Sequence, residues 1–151
     1  MRYTIAVDFD GVLHSYTSPW VNARTIPDLP VPGAMDWLRK ITDRFDVAIT
    51  STRNHQWFGR AAMKRWLLEH LYHVVYEWAL EAHLLDRHFT HIDDEDAVDR
   101  MVEDIMRKIS FPKHKPPALV YLDDRAMRFE GTFPTAQEIH QARPWNKKES
   151  K

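Results

Sequence analysis

The sequence predicts an α/β protein: a parallel β-sheet covered by helices on both faces, in three layers, with a small helical insertion. Three observations carry this. The runs Thr4-Ile5-Ala6-Val7, Val47-Ala48-Ile49 and Ala118-Leu119-Val120-Tyr121-Leu122 are apolar on both alternating faces, as strands inside a covered parallel sheet are. A stretch of helical period separates the first two runs, and strand–helix–strand order argues for a right-handed parallel unit. A length of 151 residues holds one domain with a sizeable core and hardly two.

Taken in order, the first strand places Tyr3, Ile5, Val7 and Phe9 on one side and Thr4, Ala6 and Asp8 on the other. It ends in Asp8-Phe9-Asp10-Gly11. Residues 11–32 contain Pro19, Pro27, Pro30 and Pro32 and read as a loop or short flap. Pro32-Gly33 leads into a helix from Ala34 to Arg44, where Met35, Leu38 and Ile41 recur at helical spacing. The second strand, Asp46 to Ser51, ends in hydroxyls. Over residues 57–88, Met63, Leu67, Leu71, Val74, Trp78 and Leu85 fit a helical face, yet His73-Val74-Val75-Tyr76 fits a short strand equally well. A helix follows over about 94–109, its acidic start (Asp93 to Asp96) and basic end (Arg107, Lys108) complementing the helix dipole. Lys108 to Phe111 is expected as a short edge strand. The third apolar strand ends in Asp123-Asp124, and Met127 to Glu130 is expected as a last short strand. Pro134 to Ala142 reads as a closing helix with Thr135 as N-cap and Glu138 at capping-box spacing. The expected organisation is one domain over residues 1–145, a helical insertion at about 72–107 and a flexible tail at 146–151.

Composition narrows the function classes. Net charge is −1, so no bulk basic field favours nucleic acid, although a local pocket for a nucleotide stays open. The absence of cysteine excludes disulfide scaffolding, thiolate zinc sites and cysteine nucleophiles. The nine histidines show no metal-ligand spacing, and the six tryptophans are expected in the core and at interfaces rather than as a base-stacking platform. The first strand carries Asp8 and Asp10 where an export signal would be apolar, and no stretch reaches transmembrane length without charges. A cytoplasmic location, with no membrane partner, is the expectation.

In open parallel sheets, ligands bind outside the carboxyl ends of the strands. Here the strands finish in Asp8 and Asp10, in Thr50, Ser51 and Thr52, and in Asp123 and Asp124. If the three strands are neighbours, these groups converge. Carboxylates rarely lie buried without partners, so four of them in this arrangement suggest a magnesium site. Lys113 and Lys115 enter the third strand and can add positive charge, completing a set suited to phosphoryl transfer.

The same set resembles the haloacid dehalogenase (HAD) superfamily of phosphohydrolases. Asp8-Phe9-Asp10-Gly11-Val12 resembles its first motif, Val47-Ala48-Ile49-Thr50-Ser51 its second, Lys115 or Lys113 its third, and Leu122-Asp123-Asp124-Arg125 its fourth. The motifs stand in the family's order over residues 4–125, and the chain is similar to small bacterial and phage-encoded members. The resemblance implies a Rossmann-like sheet and a magnesium-dependent phosphomonoesterase acting through an aspartyl-phosphate. Asp8 would be the nucleophile. Asp10 would protonate the leaving oxygen and then activate water. Magnesium would be held by the Asp8 carboxylate, the Asp10 main-chain carbonyl and Asp124, with Asp123 holding the lysine or a metal-bound water. Ser51 would hydrogen-bond the transferring phosphoryl group, and Lys115 would neutralise its charge. Gly11 would permit the turn that aims both aspartates inward. For Asp10 to donate a proton near neutrality, its pKa must rise from about 4 through desolvation or the charge of Asp8.

Each residue also has a plainer reading. Asp-x-Asp-Gly can be a solvated turn, and Ser51 and Thr52 can cap the next helix. Arg53 and Arg125 can grip a substrate phosphate or form ordinary ion pairs. His14 and Tyr16 can touch a leaving group from the flap or pack within it. The flap is too short for a large cap, and an open site suits a bulky ester, a nucleotide or a nucleic-acid end. Asp123-Asp124-Arg125 also resembles the fourth motif of deoxyribonucleotidases in the superfamily. The expected partner is a small phosphorylated substrate, with nucleic acid left open and the chain either monomeric or a homodimer. Two other classes remain: a magnesium-dependent PIN-like nuclease, and a non-catalytic interaction module that uses residues 72–107.

Overall fold

The computed structural model describes residues 2–82, 84, 92–142 and 145. β1 (Thr4–Asp8), β2 (Asp46–Thr50), β3 (Ile109–Ser110) and β4 (Tyr121–Leu122) form one four-stranded sheet in the order β3-β2-β1-β4. All pairings are parallel, with Ala6 opposite Ala48 and Tyr121. The three strands that end in polar groups are therefore neighbours, as the convergence argument requires. The expected strand at 118–122 does run beside β1. Its ladder begins upstream of β4, where Leu119 N–H donates to the Thr4 carbonyl (2.8 Å) and Ala6 N–H to that of Val120 (2.9 Å).

α1 (Ala34–Ile41) links β1 to β2, and α2 (Gly59–Glu81) and α3 (Ile92–Met106) lie between β2 and β3. Both crossovers step in the same direction across the sheet, so right-handed connections put all three helices on one face. The core agrees. Ile5, Val7 and Phe9 share that face with Val47 and Ile49, and are buried with Leu38 of α1, Met63, Leu67 and Leu71 of α2, and Val98 and Val102 of α3. The other face presents Ala6, Ala48 and Ser110 and is crossed by the return from β3 to β4, which is loop. The expected third layer is not found among the described residues. α4 (Ala136–Gln141) buries no residue, although its predicted capping box is present, with Thr135 Oγ1 accepting from Glu138 N–H.

Other expectations are corrected. His73 to Tyr76 is helical, inside the continuous 23-residue α2. Val75 and Ala79 carry its buried stripe on past Leu71, and a helix propagates at one hydrogen bond per residue once nucleated. Residues 127–130 form no strand; nothing pairs with them and Met127 and Phe129 are exposed. Within 72–107, Val75 and Ala79 of α2 and Val98, Val102 and Ile105 of α3 lie in the core. The tail at 146–151 lies outside the described residues.

Candidate metal and phosphate site

The site is built where β1 runs out. Asp8 ends the strand, and its Oδ1 accepts the Phe9 N–H at 2.8 Å. The chain then turns tightly, the Phe9 carbonyl accepting from the N–H groups of Leu13 and His14. Gly11 has φ +94°, a left-handed conformation that favours glycine, and a Cβ there would stand 2.5 Å from Asp124 Oδ2. Gly11 thus serves both the turn and the close approach of Asp124.

One carboxylate oxygen from each of Asp8, Asp123 and Asp124 falls within a 4.8 Å set. The Asp124 side chain is only 1% exposed, its nearest cation is Arg125 at 4.0 Å, and neither of its oxygens has a hydrogen-bond partner among the described residues. Burial, helped by the neighbouring charges of Asp123 and Asp10 and opposed by Arg125, raises its pKa above the ordinary carboxylate range. Burial, and then the charges of Asp123, Asp124 and Asp10, also push Asp8 up to about 7 despite the Phe9 hydrogen bond. A carboxylate cluster that includes the buried, donor-less oxygens of Asp124 fits a hard divalent cation, which takes oxygen ligands and favours their ionised form. The donor set does not by itself select magnesium.

Asp10 points elsewhere. Its Oδ1 meets His14 Nδ1 at 2.8 Å, and it receives Arg53 through Nε (2.8 Å) and Nη2 (3.0 Å). Burial alone would raise the Asp10 pKa. The hydrogen bonds and charges of His14 and Arg53 outweigh it and hold the group below the ordinary range. This reverses the expected upward shift, and the Asp10 carboxylate is not in the Asp8–Asp123–Asp124 set. The reason is a tertiary clamp. Arg53 is 1% exposed and spends Nη1 on the carbonyls of Asn22, Ala23 and Thr25 in the flap. His14 is fully buried, stacked on Phe9, with Nε2 near Asp28. Neither residue lines the cavity that opens on Asp8. Both position Asp10 and the flap, and no feature of the sequence pattern singles out Arg53 for burial.

A cavity of about 250 Å³ opens on this centre, lined by Asp8, Asp10, Tyr16, Trp20, Ser51, Thr52 and Arg125. Ser51 is the cap of a single 3-10 turn, Thr52–His55, and its Oγ accepts the Arg53 N–H at 3.1 Å. The capping and phosphate readings are compatible, since a hydroxyl that accepts once still has its proton to donate. Asn54 locks this turn in place by donating to the carbonyls of Ile49 and Pro112. Arg125 follows Asp124 in the chain and has an exposed side chain. Trp20, stacked over Arg53, is a wall residue that the sequence reading did not single out. Lys113 and Lys115 do not line this cavity. They line an adjoining one of about 450 Å³ that shares Ser51 and contains Asp123. Lys115 Nζ lies 4.5 Å from the centre of the Tyr121 ring.

Compared with protein-family models, curated proteins and solved structures, the chain finds no match.

Proposed function

We propose that the protein is a divalent-cation-dependent phosphomonoester hydrolase that works through an aspartyl-phosphate on Asp8, with magnesium as the expected ion. The observation that carries this reading is the buried Asp124 carboxylate, without a hydrogen-bond donor among the described residues, set beside Asp8 and Asp123 at the ends of adjacent strands. The order of the motifs, similar to that of HAD phosphohydrolases, supports the same reading.

Asp8, Asp123 and Asp124 would hold the cation. When bound, it neutralises phosphoryl oxygens and keeps Asp8 ionised at neutral pH. The Asp8 carboxylate forms the new O–P bond while the ester P–O bond breaks, and the leaving oxygen takes its proton from solvent water. Ser51 and Thr52 donate to the phosphoryl oxygens, and Arg125 offers a forked cation at the cavity mouth. Water then attacks phosphorus, inorganic phosphate departs and Asp8 is regenerated. Asp10, held ionised by His14 and Arg53, suits the second half, where it accepts the proton of the attacking water. That state opposes proton donation in the first half. Esters whose leaving group needs no proton are therefore expected to react fastest, with kcat/KM rising as leaving-group pKa falls.

The test is release of inorganic phosphate from a chromogenic aryl phosphate, with and without magnesium, by the protein and by Asp8→Asn. Turnover that needs the cation and is lost in the variant supports the mechanism. Turnover that survives in Asp8→Asn overturns the nucleophile, and cleavage of internal phosphodiesters without phosphate release would favour a nuclease.

A further inference from the structure

The candidate site does not end at its own cavity. Ser51 is shared with the cavity of Lys113, His114 and Lys115, and His55 and Lys113 are shared in turn with a third cavity of about 350 Å³. Through these shared residues the three cavities adjoin in sequence, from Asp8 past a basic midsection to Trp57, Phe58 and Arg60. Each cavity alone lies at or below the lower half of the range for small-molecule sites, about 300–1,000 Å³. Joined, they hold something longer than a mononucleotide-sized group needs.

The far end is chemically distinct. Trp57 is 83% exposed, although an exposed tryptophan gains nothing from burial, and its ring meets Phe58 edge-on at 5.3 Å. Phe58 is also exposed and has φ +64°, a left-handed conformation unusual for a bulky residue. Arg24 lies over its ring at 4.1 Å. Arg60 and Lys113 have no carboxylate partner among the described residues, and no acidic residue lines this third cavity. Asp123 is the one carboxylate lining the midsection. The net charge of −1 thus conceals a local run of cations ending at the exposed ring of Trp57. Backbone-tracking cations combined with stacking aromatics are how single-stranded nucleic acid is bound.

We propose that the three cavities act as one trench that binds a single-stranded nucleic-acid end, with the terminal phosphate at Asp8, the adjoining backbone phosphate on Lys113 and Lys115, and a base stacked on Trp57. This rests on the phosphohydrolase reading for the terminal phosphate but not for the strand. It also revises the expectation that the tryptophans serve only core and interfaces. A salt-dependent affinity follows, because each phosphate contact releases counterions.

The experiment compares three substrates: a chromogenic aryl phosphate, a mononucleotide, and a single strand of about six nucleotides phosphorylated at one end or the other. Binding of the same strand to Asp8→Asn is followed in parallel by anisotropy and tryptophan fluorescence. The expected result is a higher kcat/KM on the strand than on the mononucleotide. In Trp57→Ala, the strand-to-chromogenic-ester ratio and the strand affinity should both fall about tenfold. Lys113→Ala should lower the salt slope by about 0.7. Equal efficiency on strand and mononucleotide, with Trp57→Ala leaving the ratio unchanged, overturns the trench while the phosphatase reading stands. If no substrate is hydrolysed, the phosphatase reading fails. The trench is then decided by binding: Trp57-dependent, salt-sensitive affinity for the strand supports it, and no binding overturns it. Because Trp57 is so exposed, its truncation does not threaten the fold.

Discussion

At the residue scale, the two aspartates at the end of β1, Asp8 and Asp10, have opposite surroundings. Burial and neighbouring carboxylates push the Asp8 pKa up to about 7 in the metal-free fold, whereas an unfolded chain releases the proton near the ordinary aspartate value of 3.8. Between those values the native state binds more protons, so stability falls as pH rises and the loss is complete above about 7. A cation that favours the ionised form should therefore stabilise more at about pH 7.5 than at about pH 5, as thermal melts with and without magnesium would show. Asp8→Asn should raise the melting temperature of the metal-free protein at about pH 7.5 by roughly 3–5 °C, while lowering phosphate release about 10³-fold or more. Asp10 behaves in the opposite sense, since its buried partner is a cation. Arg53→Met removes the cation paired with the half-buried Asp10 and the shared donor to three flap carbonyls, and should cost about 3–5 kcal/mol in chemical denaturation. Arg53→Met combined with Asp10→Asn should recover part of that loss.

At the element scale, the turn after β1 and the end of β4 depend on one another through a missing side chain. Gly11→Ala strains a positive φ and drives a methyl group against the Asp124 carboxylate. Its expected signature is a magnesium requirement raised about tenfold, read from activity against metal concentration, as a displaced ligand would produce. Gly59 acts similarly at the start of α2, where a Cβ would collide with the Arg53 carbonyl. The 3-10 turn between Ser51 and α2 is thus pinned at both ends, by Asn54 and by Gly59. Much of this level was legible in the sequence. β1, β2, α1, the short β3 and the α4 capping box stand where period, glycine–proline punctuation and capping chemistry put them. The strand alternative at 73–76 fell because four apolar-rich residues satisfy either period, and only the flanking packing of Leu71, Val75 and Ala79 against the core selects the helix.

At the scale of the whole molecule, the stabilising burial lies on one face of the sheet. β4 is an edge strand whose neighbours Leu119 and Val120, like Tyr121 and Leu122 within it, are exposed, and α4 covers nothing. Leu119→Thr is accordingly expected within about 0.5 kcal/mol of the parent, whereas Leu67→Ala, in α2, should cost about 2–5 kcal/mol in denaturant midpoints. A large cost at Leu119 would mean that something covers β4 in solution. The apolar run at 118–122 reads as an interior strand because periodicity reports what a strand can bury, not what lies across from it. No helix among the described residues is long and apolar enough to cross a membrane.

The sequence by itself determined the α/β class and the strand ends that carry Asp8, Ser51, Asp123 and Asp124, because strand period and strand-end chemistry are local; that these strands are neighbours was decided by the sheet order. Tertiary structure alone decided the single helical layer, the burial of Arg53 and His14 behind Asp10, and the exposure of Trp57. Each of these depends on which segments meet across long separations, such as Arg53 with Asp10 and the flap, and burial and protonation follow from that meeting rather than from the residue's own identity.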